Sequence, residues 1–353
     1  MLVQARGLDK YVAVRTAGVD WLLQQLNDDG SLGDPREGYQ FYRAPWTFAA
    51  AGHTEAASAV CGWIRENMLT DGGAIGGPYR VFDDAYAYRD SALIVGAQLA
   101  QQYDLSHGLM PVLERWQDER SGGSSNDRLA DGTMSDGMSI PYSAGPGFAF
   151  LATGHLDRAR AVYRFLARIY EAQPELPHRF YYVWSRSRQQ LVTEFSPDER
   201  FWYLVDNQIT ERQRWTIGGI AAGFLGRLYL AEPRPEYLAL ARRYQAFSMN
   251  STEGQFKFAQ VCKSGWGSSL LYQITGEGQY LAWTRRMGDW FAAGQAPEGF
   301  WPTAAGGAET IGAATSRGPV IHNALEFVMH VDHIIGGLSA RPAPPATSEG
   351  PAQ

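Results

Sequence analysis

The sequence predicts an all-α fold, an (α/α)6 toroid in which six helix hairpins close around a central cavity. Three observations predict it. Apolar residues recur at helical spacing through most of residues 10–338, whereas strand-like alternation is sparse. Polar-faced helices alternate with helices rich in Gly and Ala, with Gly-bearing turns between them. The repeat length varies between roughly 45 and 60 residues, whereas a regular solenoid keeps a fixed period.

The polar-faced segments are expected to form the outer ring of helices. Each carries its apolar residues on one helical face and ends near a turn that contains Gly. Glycine permits positive φ, and Asp or Asn side chains in these turns bond to nearby backbone. The predicted segments are Tyr11–Leu26, Glu55–Met68, His155–Ala172, Glu236–Met249 and Gln279–Gln295.

The second helix type is apolar on nearly all sides, which predicts an inner, buried ring. A glycine inside a helix costs about 1 kcal/mol relative to alanine, so repeated glycines indicate close backbone approach or cavity space. Outside the helices, Phe180–Trp184 and Gln190–Thr193 are predicted to form a short hairpin. The predicted inner segments are Phe41–Gly52, Ala87–Ala100, Tyr142–Gly154, Arg212–Leu230, Ser264–Gly276 and Gly318–His333.

One domain is predicted for residues 1–339, because no linker interrupts residues 10–338. From about Ala340 the chain is rich in Pro, Ala and Ser and has no apolar period. Such a segment buries too little apolar surface to offset the entropy of ordering, so residues 340–353 are predicted to be a disordered tail.

Composition excludes several classes of protein. A net charge of −6 argues against a nucleic-acid or anionic-membrane binder, which needs a basic face. The sequence contains no stretch of about 18 apolar residues, so no membrane span is predicted. Cys61 and Cys262 are too few for a disulfide framework or a four-cysteine zinc site. Since the N-terminus also lacks a signal-peptide pattern, we expect a soluble cytoplasmic protein that needs no cofactor and acts on a small molecule. The oligomeric state is left open.

Two turns and one helix pair carry a family resemblance. Gln24–Leu32 (QQLNDDGSL) and Gln295–Pro302 (QAPEGFWP) repeat a helix–acid–Gly turn, and the second resembles the Gln…Asp-Gly-Gly-Trp-Pro turns of terpenoid cyclases and protein prenyltransferase β-subunits. Trp266–Trp290 resembles the inner helix, Gly turn and outer helix of the same proteins. The resemblance implies the α/α toroid fold over most of the chain. That barrel also carries sugar epimerases, unsaturated glucuronyl hydrolases and linalool dehydratase-isomerase, so the fold does not fix the function.

The activity motifs of these families are absent. The Asp-x-Asp-Asp acid of class II cyclases is matched at Arg80–Asp84 only by Asp83 and Asp84, because Val81 stands where the first Asp belongs. Ala87 replaces the last Asp of the class I Asp-Asp-x-x-Asp motif. Cys262 and His322 have a spacing plausible for the prenyltransferase zinc ligands, but Gln260 stands near the position of the accompanying Asp. No metal is therefore predicted.

In a six-hairpin toroid the inner helices run parallel, so that their starts line one mouth of the cavity. Arg, Tyr and Trp side chains from separate helices would converge there, as in ligand sites with aromatic walls and a few polar groups. The alternative is that the rings only pack and the arginines pair with loop acids. The residues at these starts are Tyr42, Arg43, Trp46, Tyr86, Tyr88, Arg89, Asp90, Tyr142, Arg212, Arg214, Trp215, Lys263, Trp266 and His322.

Two Tyr-Arg pairs stand out among these residues, at Tyr42-Arg43 and Tyr88-Arg89. Guanidinium groups bind carboxylate, phosphate or carbonyl oxygens, often through two hydrogen bonds. The pairs therefore suit an anionic or carbonyl-bearing substrate, and they could equally clamp Asp90 or Asp83.

His322, Glu326 and His330 are spaced four residues apart and form one stripe of the last inner helix. A carboxylate beside an imidazole raises its basicity, which suits a proton acceptor. The stripe could instead be structural, or with His333 it could hold a metal.

The longest irregular segment is Gln117–Ile140, which is rich in Gly, Ser and Asp. Long loops within compact domains often form lids or site walls. Asp131 and Asp136 could act there as a general acid with a pKa raised by desolvation, or they could be ordinary turn residues.

Three functions remain open from the sequence. The leading hypothesis is an enzyme that cyclises, isomerises, hydrates or dehydrates a largely apolar, terpenoid-like molecule. Asp90, Asp131 or Asp136 would protonate it, aromatic faces would stabilise a cation, and His322 with Glu326 would remove the last proton. The second is a carbohydrate-active barrel, an epimerase, glycoside hydrolase or lyase. The third is a non-catalytic toroid that binds a ligand or a protein.

Overall fold

The computed structural model describes residues 7–37, 41–80, 86–129, 132–302 and 318–340 of the chain. These residues are mostly α-helical, as predicted, and peripheral helices alternate with buried ones. The peripheral helices are α1 (Asp9–Leu23), α3 (Thr54–Asn67), α5 (Tyr103–Gly108), α6 (Met110–Glu114), α8 (Leu156–Glu171), α10 (Pro235–Met249) and α12 (Gly278–Gly294). The buried helices are α2 (Ala44–Ala50), α4 (Tyr86–Leu99), α7 (Ile140–Ala152), α9 (Thr216–Ala231), α11 (Lys263–Thr275) and α13 (Gly318–Ser339).

The buried helices pack against one another in chain order. Helix α2 contacts α4, α4 contacts α7, α7 contacts α9, α9 contacts α11 and α11 contacts α13. Helix α13 in turn contacts α2, so that the series of contacts returns to its start. In the outer layer α1 packs against α12 and α13. Residues near the starts of the buried helices are thereby brought within reach of one another.

Glycine allows the buried helices to approach closely, as their composition predicts. A Cβ atom on Gly96 of α4 would lie 2.3 Å from the backbone nitrogen of Trp46 in α2. A Cβ on Gly219 of α9 would lie 2.3 Å from the carbonyl carbon of Lys263 at the start of α11. Since van der Waals contact needs more than 3 Å, any other residue would push these helices apart.

One outer helix has no counterpart among the predicted segments. Between α4 and α7 the outer position is occupied by the two short helices α5 and α6. The helix is interrupted at Leu109, and Pro111 then lies in the first turn of α6, where its missing N–H needs no partner. Neither piece is long enough to show an apolar stripe, which is why helical periodicity did not reveal them.

The predicted hairpin is partly wrong. Strand β3 (Val183–Ser185) pairs antiparallel with β4 (Gln190–Leu191), as predicted, and also with β1 (Gly137–Ser139). Strand β2 (Arg179–Tyr181) pairs instead with β5 (Leu204–Asp206). The chain changes partner at Tyr182, whose backbone N–H donates to the carbonyl of Tyr203 and whose carbonyl accepts from Ile140.

Of the predicted C-terminal tail, the structure describes Ala340 alone. No described helix is both long and apolar enough to cross a membrane.

Candidate functional site

Side chains from the starts of α2, α4, α11 and α13 meet in one polar cluster. Arg43, immediately before α2, places Nη1 2.7 Å from Glu326 Oε2 and 2.8 Å from His322 Nε2. Its Nη2 donates to the hydroxyl of Tyr88 at 3.0 Å. Lys263, the first residue of α11, forms an ion pair with Oε1 of Glu326. We call Arg43, Tyr88, Lys263, His322 and Glu326 the mouth cluster.

The three charged side chains of the mouth cluster are ionised although they are buried. Burial opposes the charge on each of them, but the pairing outweighs it: Arg43 and Lys263 hold the pKa of Glu326 well below its usual value. Glu326 in turn raises the pKa of Arg43 and that of Lys263. Two cations therefore face one carboxylate, which leaves a net charge of +1. A carboxylate held ionised in this way is a poor general base near neutral pH.

The hydrogen bonds of His322 define its tautomer. A guanidinium has donors and no acceptor, so Nε2 of His322 must accept the hydrogen bond from Arg43. The ring proton of a neutral imidazole then lies on Nδ1, which is 3.3 Å from the hydroxyl of Tyr42. Burial, opposed by Arg43 and Arg89, raises the pKa of Tyr42 to about 12. Arg43 thus stands between His322 and Glu326, where the sequence suggested a direct pair.

Aromatic rings fill the space below the mouth cluster. Trp266 stacks on Phe148 at 4.2 Å between ring centroids and on His333 at 4.7 Å, while Trp46 meets Trp266 edge-on at 5.8 Å. The cavity that these helices leave here has a volume of about 20 Å³ and is bordered by Arg43 and Tyr88. That volume suits about one water molecule.

Other predicted binding residues lie at varying distance from the cluster. The Tyr142 ring is 6.1 Å from that of Tyr88, and Arg214 lies over it at 5.8 Å. Arg89 lies over Tyr42 at 5.5 Å. Trp215 is buried directly before α9, and none of the contacts described joins it to Arg43 or His322. The structure thus brings Tyr42, Arg43, Trp46, Tyr88, Arg89, Tyr142, Arg214, Trp266, His322 and Glu326 to one end of the buried helices.

The three predicted general acids are not in the mouth cluster. Asp90 is buried on a different face of α4, 2.8 Å from Arg80, and burial raises its pKa. Asp136 is exposed and accepts hydrogen bonds from Ser185 Oγ and the Ser187 backbone, both at 2.7 Å. Burial raises the pKa of Asp136, but these bonds outweigh it and the net shift is downward, opposite to the prediction. Asp131 lies outside the described residues.

Two neighbours of Glu326 were missed as its partners. Sequence reasoning placed Lys263 at a helix start but did not pair it with Glu326, and it considered Cys262 only as a zinc ligand together with His322. Cys262 Sγ lies 3.7 Å from Glu326 Oε1. These residues are more than sixty positions apart, so no local pattern connects them. The available signal was the charge of Lys263 at the start of an otherwise apolar helix, which predicts a buried partner of opposite charge.

Cys262, Glu326 and His330 could geometrically hold a metal ion, since one ligand atom from each lies within 4.8 Å of the others. The ammonium of Lys263 competes with a metal for this carboxylate, because it already pairs with Oε1 of Glu326. Burial raises the pKa of Cys262 to about 12, so a metal would have to displace the thiol proton. Burial lowers the pKa of His330 to about 4, which keeps its imidazole in the neutral form that metals bind.

The chain is similar to solved enzyme structures of the (α/α)6 toroid type, which confirms the predicted resemblance at the level of the fold. A D-mannose isomerase matches with a TM-score of 0.70 and 16% identity over 92% of this chain and 97% of that one. A family 76 glycoside hydrolase from a bovine Bacteroides thetaiotaomicron strain has a TM-score of 0.65 and 11% identity, over 92% and 77%. A ligand-free variant of the type II terpene cyclase MstE from Scytonema has a TM-score of 0.60 and 13% identity, over 96% and 100%. No protein-family model and no curated protein matches the sequence.

Proposed function

We propose that the chain is a closed (α/α)6 toroid and an isomerase or epimerase of a small hydroxylated carbonyl compound, a sugar or sugar derivative. The observation that carries the proposal is the charge of the mouth cluster, in which Arg43 and Lys263 outnumber the single carboxylate of Glu326. The enzymes with similar structures support the enzyme assignment, and the isomerase among them supports this reaction class by analogy of fold.

A buried site with a net positive charge favours an anionic intermediate. Isomerisation and epimerisation next to a carbonyl pass through an enolate or enediolate, whose oxygens gain negative charge. Fixed cations in a dry site stabilise such charge without reorganising. The positive ends of α4, α7, α9 and α11 add to the effect. The same arrangement would destabilise a carbocation, which argues against protonation of a polyene at this position.

Proton transfer is assigned to His322. In the structure its Nε2 lone pair is occupied by the N–H of Arg43. A substrate oxygen that takes over this N–H releases Nε2 to accept the proton from the carbon next to the carbonyl. The electron pair of the broken C–H bond then forms the enediolate, held by Arg43 and Lys263. For isomerisation, the proton of the neighbouring hydroxyl passes to the former carbonyl oxygen, and the proton held by His322 is returned to the other carbon. For epimerisation, the proton is returned to the opposite face of the same carbon, which requires a second donor, and we assign that role to Tyr88.

The test follows hydrogen exchange at the reacting carbon. Purified protein is incubated in D₂O with D-mannose, D-glucose, D-fructose and N-acylated aldoses, and loss of the proton at C2 of an aldose or C1 of the ketose is followed by ¹H NMR. We expect exchange with at least one sugar and a loss of at least about 100-fold in His322→Asn, the range for a general base. Asp136→Asn, an exposed change remote from the mouth cluster, is the matched control.

Two results would contradict the proposal. One is exchange that is unchanged in a folded His322→Asn protein. The other is the absence of both exchange and product across the sugar panel.

A second candidate function is the acid–base conversion of an apolar, terpenoid-like molecule. The stacked rings of Trp46, Phe148 and Trp266 favour it, because aromatic faces attract cations. The cavity of about 20 Å³ beside them, which Arg43 and Tyr88 also border, is far below the roughly 300 Å³ of typical ligand pockets, so either candidate substrate requires this cavity to open. Conversion of a linear C20 polyene diphosphate by the wild-type protein, with the sugars unreactive, would favour this candidate.

A further inference from the structure

A guanidinium that pairs with no described carboxylate lies beside the mouth cluster. Arg214, two residues before α9, is half-buried among aromatic rings. Its guanidinium carbon lies 4.2 Å from the ring centroid of Trp202 and 5.1 Å from that of Phe201. It also lies 5.8 Å from the ring centroid of Tyr142, whose ring is 6.1 Å from that of Tyr88. A series of ring contacts therefore leads from the mouth cluster to Arg214.

The hydrogen-bond donors of Arg214 are unused within the described part of the chain. No described residue forms a hydrogen bond or an ion pair with this side chain, and its Nε is buried without a partner. Nη1 and Nη2 are not enclosed in this way, so they reach the accessible surface of the half-buried side chain. Aromatic rings hold a guanidinium by its flat faces, whereas its N–H groups lie in its own plane. Arg214 is therefore held in place and keeps two donor groups for an acceptor that no described residue supplies.

The segment that holds Arg214 is itself well fixed. Phe201 and Trp202 end a short 3₁₀-helix, Pro197–Trp202, which begins with a capping box at Ser196. The hydroxyl of Tyr182, a buried residue, donates a hydrogen bond to the carbonyl of Phe201. Trp202 nevertheless leaves 52% of its surface exposed. An aromatic wall beside a few polar groups is typical of a site for a small molecule.

The nearby arginines differ from Arg214 because they have carboxylate partners. On the same 3₁₀-helix, Nη2 of Arg200 lies 3.6 Å from Oδ2 of Asp206. In the mouth cluster, Arg43 pairs with Glu326. A partly buried charge costs stability when nothing offsets it. The charge of Arg214 therefore indicates a ligand that supplies the negative charge.

We propose that Arg214 binds a carboxylate of the substrate, and that the substrate of the mouth cluster is a sugar acid. This inference rests on the isomerase function proposed above. The net charge of +1 in the mouth cluster offsets the enediolate, and the further charge of Arg214 matches one carboxylate. In a hexuronate the carbonyl is at C1 and the carboxylate at C6, at opposite ends of the molecule. The carbonyl end meets Arg43 and Lys263, and the carboxylate end meets Nη1 and Nη2 of Arg214.

Deuterium exchange with charged and uncharged substrates tests the inference. D-Glucuronate and D-mannuronate, which differ only at C2, are compared with their 6-amides, and kcat/KM for loss of the C2 proton in D₂O is measured by ¹H NMR. The variants are Arg214→Gln and Arg214→Lys. Arg200→Gln is the matched control, because it removes the same charge from the neighbouring 3₁₀-helix and leaves Asp206 paired with Arg179 at 3.1 Å. Near-ultraviolet circular dichroism checks that each protein is folded.

We expect the wild-type protein to prefer the uronate over its amide by at least about tenfold in kcat/KM, as a charge-assisted contact to a carboxylate requires. Arg214→Gln should lose this preference, mainly through a higher KM for the uronate. Arg214→Lys, which keeps the charge but not the paired donors, should keep part of it. Arg200→Gln should keep the preference within about twofold.

Two results would overturn the inference while the isomerase function stands. One is exchange of the amide by the wild-type protein as readily as exchange of the uronate. The other is the full preference for the uronate in a folded Arg214→Gln protein.

Absence of exchange with every sugar contradicts the isomerase function, and calorimetric titration with D-glucuronate then decides about Arg214. Binding that is at least about tenfold weaker in Arg214→Gln supports the carboxylate site. No binding to the wild-type protein, or equal binding by the two proteins, overturns it.

Discussion

Replacing Glu326 by Gln removes the carboxylate that two buried cations share. At the 2.7 Å between Arg43 and Glu326, the attraction amounts to about 6 kcal/mol at an effective dielectric constant of about 20. Part of this is recovered, since the amide oxygen still accepts hydrogen bonds. Breaking a buried ion pair by removing one partner typically costs about 3–5 kcal/mol, and we expect Glu326→Gln to lower the free energy of unfolding by that amount.

Lys263→Met is the matched control for this experiment. It removes one of the two cations and leaves the pair of Arg43 with Glu326 intact, so we expect it to cost less than about 2 kcal/mol. Both proteins are unfolded in urea and followed by near-ultraviolet circular dichroism of the tryptophans. The reasoning is refuted if Glu326→Gln costs no more than Lys263→Met.

The pH dependence of stability gives a second test of Glu326→Gln. Because the pKa of Glu326 is lowered by folding, its contribution is present above the unfolded pKa of about 4.3 and is lost as pH falls below that value. The difference in stability between wild type and Glu326→Gln should therefore be constant near neutral pH and shrink in acid.

Two further predictions concern the buried helices. His330→Asn should flatten the dependence of stability on pH, because burial lowers the pKa of His330 to about 4. Between about pH 6.5 and 4 the unfolded wild-type protein binds a proton that the folded protein does not, so the wild type loses about 3 kcal/mol of stability that this variant keeps. Free energies of unfolding in urea that fall equally with pH in both proteins would contradict this. Gly219→Ala should lower the free energy of unfolding by about 2 kcal/mol or more, because the added Cβ pushes α9 away from α11. Gly62→Ala on α3 is the control: its Cβ meets nothing within 4 Å, so the change should be neutral or stabilising by up to about 1 kcal/mol. Similar thermal midpoints for the two variants would show that the close approach is not required.

Much of the fold could be predicted because the sequence of each helical segment by itself indicates its type. The apolar periodicity of α8 and the Gly-rich, apolar sequence of α9 are properties of single segments, and each predicted helix has a counterpart in the structure. Boundaries were less certain, as α9 begins at Thr216 and not at Arg212. The pair α5 and α6 was missed since five or six residues are too few to define a helical face.

The site was predictable only as far as parallel helix starts converge. That reasoning brought together Arg43, Tyr88 and His322, as the structure does. The pairing of Lys263 with Glu326 depends on how α11 and α13 pack and has no local signature. Asp90 shows the limit most clearly: it lies at a predicted helix start, but the rotation of α4 turns it away from the mouth cluster and into its ion pair with Arg80.

The mouth cluster also has a consequence for synthesis of the chain. Arg43 and His322 are separated by 279 residues, and the carboxylate that neutralises Arg43 lies on the last described helix. A nascent chain therefore carries Arg43 and Lys263 before their counter-ion, Glu326, has been synthesised. Until α13 docks, water must solvate both cations, and the first and last buried helices cannot settle together. The contacts of the mouth cluster thus also join the first and last buried helices, and they cannot form in a chain that lacks α13.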